Sequence, residues 1–123
     1  MADRTPFLVI NPNAEDKRLG KKLDKILAIA KDTFGDFSYE LTTKMGDGIP
    51  IARKAVEEGY KILVSVGGDG TLNEVVNVAA KTDLQVGMIP GGSACDSFKT
   101  HGIPRDFKRA FEIVSEGYYE RFP

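Results

Sequence analysis

The chain has 123 residues, 41% of them hydrophobic, and a formal net charge of −1. That length supports one domain with a real core but not two full ones, and the hydrophobic share excludes a disordered chain. The near-neutral balance gives no reason to expect a general electrostatic attraction to nucleic acid or to an anionic membrane, so any phosphate site must be local and built largely from backbone dipoles.

The single cysteine, Cys95, cannot form an internal disulfide, which fits a reducing, cytoplasmic setting. No apolar run reaches the roughly 18 residues of a membrane span. The N-terminal residues precede only a short apolar run and do not read as a signal peptide. There is no internal repeat and no low-complexity linker.

Residues 7–10, Phe-Leu-Val-Ile, form an apolar run before Asn11-Pro12-Asn13 and read as a buried strand ending in a loop. Residues 17–34 place Leu23, Ile26, Leu27 and Ala30 at helical spacing, with Lys17, Lys21, Asp24 and Lys31 for the wet face and Gly35 as the stop. Residues 37–42 alternate Phe, Tyr and Leu with Ser, Glu and Thr, the pattern of a half-buried strand. Gly46-Asp47-Gly48 reads as a turn. Pro50 suits the first turn of a helix carrying Ile51, Ala52, Ala55 and Val56 inward until Gly59.

Residues 62–66 form a third, strongly apolar strand. A third helix is expected over residues 72–80, with Leu72, Val75, Val76 and Ala79 on one face. A fourth strand covers 86–89 and stops at Pro90-Gly91-Gly92. A short helix is expected within 93–101, and a last helix over 105–115 turns Phe107, Ala110, Phe111 and Val114 inward. Residues 118–122 read as the start of another strand.

Short apolar strands alternating with amphipathic helices imply right-handed βαβ crossovers. The expected fold is a single-domain, three-layer, doubly wound (Rossmann-like) α/β sheet, mostly parallel, with helices on both faces. In such sheets ligands bind beyond the carboxyl ends of the strands. The loops at those ends, 11–13, 42–48, 67–71 and 90–96, are rich in Gly, Asn, Asp, Ser and Thr. The loops at the opposite ends, such as 57–59 and 81–83, are plain turns.

The loop Gly67-Gly68-Asp69-Gly70-Thr71 joins a β-branched strand to a helical pattern at once. Gly67 and Gly68 can take positive φ and admit a ligand to the main chain, and Gly70 keeps the turn open. Thr71 is placed to cap the helix, and Glu74 would complete a capping box. The helix N-terminus adds partial positive charge. Asp69 would repel phosphate unless it organises Mg2+ or accepts a proton from an attacking hydroxyl. The plainer alternative is a tight turn whose aspartate caps a helix. Neither the dinucleotide fingerprint nor a P-loop is present, since their spacings do not occur.

The run Gly67-Gly68-Asp69-Gly70-Thr71-Leu72-Asn73-Glu74-Val75-Val76-Asn77 resembles the nucleotide-binding signature of the diacylglycerol kinase catalytic domain, a superfamily that includes sphingosine kinases and bacterial lipid kinases. Asn11-Pro12 after the first strand, Thr42 followed by Gly46-Asp47, Pro90-Gly91-Gly92-Ser93-Ala94-Cys95-Asp96 and Gly102-Ile103-Pro104 agree in order and spacing. The core glycine motif is shared with NAD kinases, and a variant occurs in 6-phosphofructokinases. The Asn-Glu-Val-Val-Asn continuation favours the lipid-kinase branch.

The resemblance implies ATP-dependent phosphorylation of a lipid hydroxyl, with ATP and Mg2+ as cofactors. It implies that Asn11, Thr42, Gly67, Gly68, Asp69, Gly70, Thr71, Glu74 and Ser93 surround the nucleotide, with Asp69 the catalytic candidate. Ala94-Cys95 stands where the family has Gly-Asn, which removes backbone freedom and an amide group from the second loop. The family's enzymes carry a further β-rich domain that helps to form the lipid cleft. Residues 1–123 are therefore expected to be the N-terminal nucleotide-binding domain, to contribute half of the active site and to be inactive or very weak alone.

The expected partners are a nucleotide and a lipid alcohol but no nucleic acid, with peripheral membrane contact and oligomeric state left open. The alternatives are an NAD-kinase-type phosphotransferase and a non-catalytic nucleotide-binding module. His101 reads as an exposed loop residue and Cys95 as a small packing residue. Lys17, Arg18, Lys21 and Lys22 read as a solvated helix face, and Asp96 as either a cap or a Mg2+ contact. Tyr118, Tyr119 and Phe122 form an aromatic cluster that another domain would cover.

Overall fold

Two strands consist wholly of buried residues, β1 (Pro6–Ile10) and β3 (Ile62–Gly67). A strand buried on both faces has to lie inside a sheet covered by helices, and continuous apolar runs are what such strands require. The computed structural model describes residues 5–12, 23–80 and 84–90, apart from the side chains of Asp69 and Pro90. Within it β1 and β3 lie side by side as the centre of a four-stranded sheet of order β2-β1-β3-β4. β2 (Ser38–Leu41) flanks β1, and β4 (Gln85–Pro90) flanks β3. Every pair is parallel, with Leu8 opposite both Tyr39 and Val64, and Val64 opposite Gly87.

The helices follow from the crossovers. α1 (Leu23–Phe34) joins β1 to β2, α2 (Gly48–Glu57) joins β2 to β3, and α3 (Asp69–Ala79) joins β3 to β4. The first crossover moves outward to β2 and the next two move the other way. A common right hand therefore puts α1 on one face and α2 with α3 on the other. The side chains sort in that way. Leu8, Ile10, Val64, Val66 and Ile89 pack with Ile26 and Ala30 of α1. Phe7, Val9, Leu63, Val86 and Met88 pack with Ile51, Ala52 and Ala55 of α2 and with Leu72, Val75 and Ala79 of α3. Each fully buried Leu, Ile or Val stabilises the fold by roughly 1.5–3 kcal/mol, so these two layers supply the main driving force.

The three-layer parallel α/β fold expected from the pattern is therefore the observed one, although several boundaries move. The expected first helix over 17–34 is described from Leu23 onward, and residues 13–22 lie outside the described residues. α2 opens at Gly48, two residues before Pro50. It closes as the sequence implies: the N–H of Gly59 donates to the carbonyl of Val56 (3.0 Å), and that of Tyr60 donates to Ala55 (3.1 Å). This paired C-terminal motif needs a left-handed residue, and Gly59 supplies it at φ +100. The features expected beyond residue 90 also lie outside the described residues. They include Ser93, Cys95, Asp96, His101, the last helix and the terminal aromatic cluster.

Candidate functional site

In a sheet of this order the chain leaves β1 toward one side and later returns on the other. The carboxyl ends of β1 and β3 consequently flank a switch point, where loops part and leave a crevice. The crevice is present. A cleft of about 250 Å³ is lined by Asn11 from the end of β1, by Thr42, Lys44 and Met45 from the loop after β2, and by Gly70, Thr71 and Glu74 from α3. Five of the residues singled out in the sequence thus meet around one space: Asn11, Thr42, Gly70, Thr71 and Glu74.

Thr42 is buried, and its N–H donates to the carbonyl of Ile10 at 2.8 Å, extending the β1–β2 ladder by one step. The loop that follows is stapled by Asp47. Its Oδ2 accepts from the Thr43 hydroxyl (2.6 Å), the Thr43 N–H (2.8 Å) and the Lys44 N–H (3.1 Å). These donors, led by the Thr43 hydroxyl, hold the Asp47 carboxyl below the ordinary aspartate pKa. Lys44 and Met45, at the tip of this loop, are cleft residues that the sequence reading did not single out. Met45 is 95% exposed. The available signal was position alone, a lysine two residues beyond Thr42 on the functional edge of the sheet.

The glycine loop differs in detail from the expectation. Gly67 has φ +158 but Gly68 has φ −96, so only the first uses the positive-φ freedom expected of both. α3 starts at Asp69 with Gly68 as N-cap, not near Leu72 with Thr71 as its cap. The Leu72 N–H already donates to the Gly68 carbonyl at 3.2 Å, which places Thr71 inside the first turn. A first-turn residue has no intrahelical acceptor for its N–H, so Gly70 costs less there than in a helix interior. The expected Thr71–Glu74 capping box is also absent. Oε1 of Glu74 accepts from the Gly48 N–H at 2.7 Å, and Oε2 accepts from the Gly46 N–H at 3.1 Å.

Two features fit an anionic ligand. α3 opens at the crevice with Gly68 as its N-cap, a residue with no side chain to cover the helix start, so the positive end of the helix dipole lies beside the cleft. A β-carbon at Gly70 would meet no heavy atom within 4 Å among the described residues, so the helix start is open. Gly67 is the reverse case: a β-carbon there would stand 3.0 Å from Thr71 Oγ1 and 3.1 Å from Asn11 Cβ. Its role is close approach between β1 and α3. Asp69 is the first residue of α3. Among the described residues no group of three or more His, Cys, Asp or Glu comes together to hold a metal ion.

A parallel sheet with a glycine turn running into a helix at its switch point defines a doubly wound α/β protein whose ligand crevice lies at the carboxyl ends of its strands. Residues 5–122 match the diacylglycerol kinase catalytic domain, and the chain belongs to that family. The diacylglycerol kinases of Staphylococcus aureus strains bovine RF122 / ET3-1 and MRSA252 are each 34% identical to it over 114 residues. Those residues make up 90% of this chain and 36% of each relative. The crystal structure of a diacylglycerol kinase from Bacillus anthracis str. Sterne superposes with a TM-score of 0.79 at 25% identity, covering 93% of this chain and 40% of that one. The chain therefore spans about a third of the length of the curated relatives it matches. No helix among the described residues is long and apolar enough to cross a membrane.

Proposed function

We propose that this chain is the ATP-binding portion of a lipid kinase that phosphorylates the hydroxyl of diacylglycerol or a related lipid alcohol. The observation that carries the proposal is the convergence of Asn11, Thr42 and the start of α3 on one cleft at the switch point. Family membership supports a lipid acceptor over NAD.

In the proposed reaction the lipid oxygen attacks the γ-phosphorus of ATP. A new P–O bond forms, the bond to the β-phosphate bridging oxygen breaks, and ADP leaves with that oxygen and its electron pair. The proton of the hydroxyl must be accepted as its oxygen bonds to phosphorus. Asp69 is the proposed acceptor, or else the organiser of Mg2+, which when bound neutralises phosphate charge. The N–H groups at the start of α3 orient the phosphates, and Asn11 and Thr42 border the rest of the nucleotide. The matched segment is a minor part of the relatives, and we assign the lipid side of the reaction to residues beyond those described. The 123-residue segment is then expected to bind ATP with little or no turnover.

The test is calorimetric titration with Mg-ATP, followed by phosphate transfer to detergent-dispersed diacylglycerol with the segment alone and within a longer chain. Saturable ATP binding by the segment, and transfer in the longer chain that Asp69→Asn abolishes without abolishing binding, are expected. Absence of ATP binding would sink the proposal, as would transfer to NAD in place of the lipid.

A further inference from the structure

Glu74 lies in the second turn of α3, yet its carboxylate serves a different helix. Both oxygens accept from backbone N–H groups at the start of α2, Oε1 from Gly48 and Oε2 from Gly46. Asp47 occupies the N-cap position of α2 but makes no side-chain cap hydrogen bond, because its carboxylate is turned back onto Thr43 and Lys44. Glu74 fills that role from 26 residues away. A carboxylate on the orphan donors of a helix start is favourable through both hydrogen bonding and the dipole. The fit also depends on the partner being glycine: a β-carbon at Gly48 would stand 2.6 Å from Oε1 and 3.0 Å from Glu74 Cβ.

The contact joins two elements that line the cleft. At one end is the helix that opens in the glycine loop, and at the other is the loop carrying Thr42, Lys44 and Met45. We infer that Glu74 is a positioning residue for the nucleotide: by binding the Gly46 and Gly48 N–H groups it fixes the 42–48 loop at the working distance from the glycine loop. This inference rests on the nucleotide-binding reading above. Both acceptor atoms face N–H donors, so the role requires a carboxylate. Glutamine would set its own NH2 against one of them.

The test uses the full chain, with Glu74→Gln, Gly48→Ala and, as a control for general destabilisation, Ile26→Val on the opposite face. Amide NMR reads the contact, and Mg-ATP titration reads the cleft. Glu74→Gln should shift the Gly46 and Gly48 amide resonances, and Gly48→Ala should shift that of Gly46. Both should weaken ATP binding about tenfold, while Ile26→Val binds as wild type. Unshifted amides would overturn the contact. Shifted amides with unchanged ATP affinity would overturn the positioning role and leave Glu74 a cap alone. Equal weakening in Ile26→Val would overturn it too, as general destabilisation. A wild-type chain with no saturable ATP binding would instead overturn the nucleotide reading, and the inference with it.

Discussion

The backbone N–H of Asn11 donates to the carbonyl of Val66 at 2.9 Å, tying the ends of β1 and β3 together at the point where their loops diverge. This bond makes the floor of the cleft a continuation of the sheet. A β-carbon at Gly67 would crowd both Thr71 Oγ1 and Asn11 Cβ, so the glycine between them is fixed by packing.

Gly67→Ala tests that packing. Its β-carbon would press on Thr71 Oγ1 at 3.0 Å and on Asn11 Cβ at 3.1 Å, neighbours held by β1 and by the first turn of α3. The expected cost is about 1–3 kcal/mol of stability, the range for overpacking a rigid site. ATP affinity should fall as well, because both neighbours line the cleft. Gly70→Ala meets open space in a helical turn and should leave stability unchanged or raise it by about 0.4–1 kcal/mol. Chemical denaturation and calorimetry on the pair give the comparison, and similar losses in both variants would contradict it.

Asp47 gives the 42–48 loop a pH dependence of predictable sign. Its folded pKa is depressed, first by the Thr43 hydroxyl and then by the Thr43 N–H, with Lys44 adding to the effect. A depressed carboxyl contributes stability above its unfolded pKa and loses it as pH falls through the lower folded value. The stability difference between wild type and Asp47→Asn should therefore be constant at neutral pH, shrink once pH drops toward the ordinary value of 3.8, and vanish below the folded pKa. Thr43→Ala should move the Asp47 titration, followed by carboxyl NMR, back toward that ordinary value. A difference that persists at low pH would exclude the ionised carboxylate as its source.

How far the sequence was legible depended on whether a feature's partner was local. The β1 and β3 runs could be read as buried strands because burial on both faces leaves no polar alternation to obscure them. The glycine loop could be placed because the period changes from strand to helix across it. The start of α3 was misplaced because Gly70 reads as a helix breaker, although a first turn tolerates it. The Glu74 contact was not legible: a threonine three residues ahead of a glutamate implies a capping box within one helix, while the real acceptor geometry is set by a turn 26 to 28 residues away. Only the tertiary crossover that lays α2 beside α3 brings those groups together.

Ser65 is a buried hydroxyl with no hydrogen-bond partner among the described residues. It sits on β3 between Val9 of β1 and Met88 of β4, on the face covered by α2 and α3. Removing an unpaired buried hydroxyl recovers its desolvation cost at the expense of a very small void, so Ser65→Ala should stabilise the chain by about 1 kcal/mol. Thermal unfolding should show a midpoint raised by a few degrees. A lowered midpoint would mean that the oxygen is bonded in solution.

Tyr60 anchors the end of the sheet away from the cleft. Its hydroxyl lies 2.6 Å from Ser38 Oγ at the start of β2, and its ring meets Phe7 edge-on with centroids 5.2 Å apart at 67°. β2 is an edge of the described sheet and has its ladder only with β1, so this contact is a second attachment at its amino end. Tyr60→Phe removes the hydroxyl and keeps the ring, and should cost about 1 kcal/mol. Tyr60→Ala also loses the packing on Phe7 and should cost about 3–5 kcal/mol. In a double-mutant cycle with Ser38→Ala the hydroxyl pair should show a coupling of about 0.5–1 kcal/mol. Because the carboxyl end of β2 is held separately by the Thr42–Ile10 bond and the Asp47 staple, Tyr60→Phe should leave ATP affinity unchanged. A loss of affinity in that variant would show that the two ends of β2 move as one unit, and that the cleft depends on the whole strand.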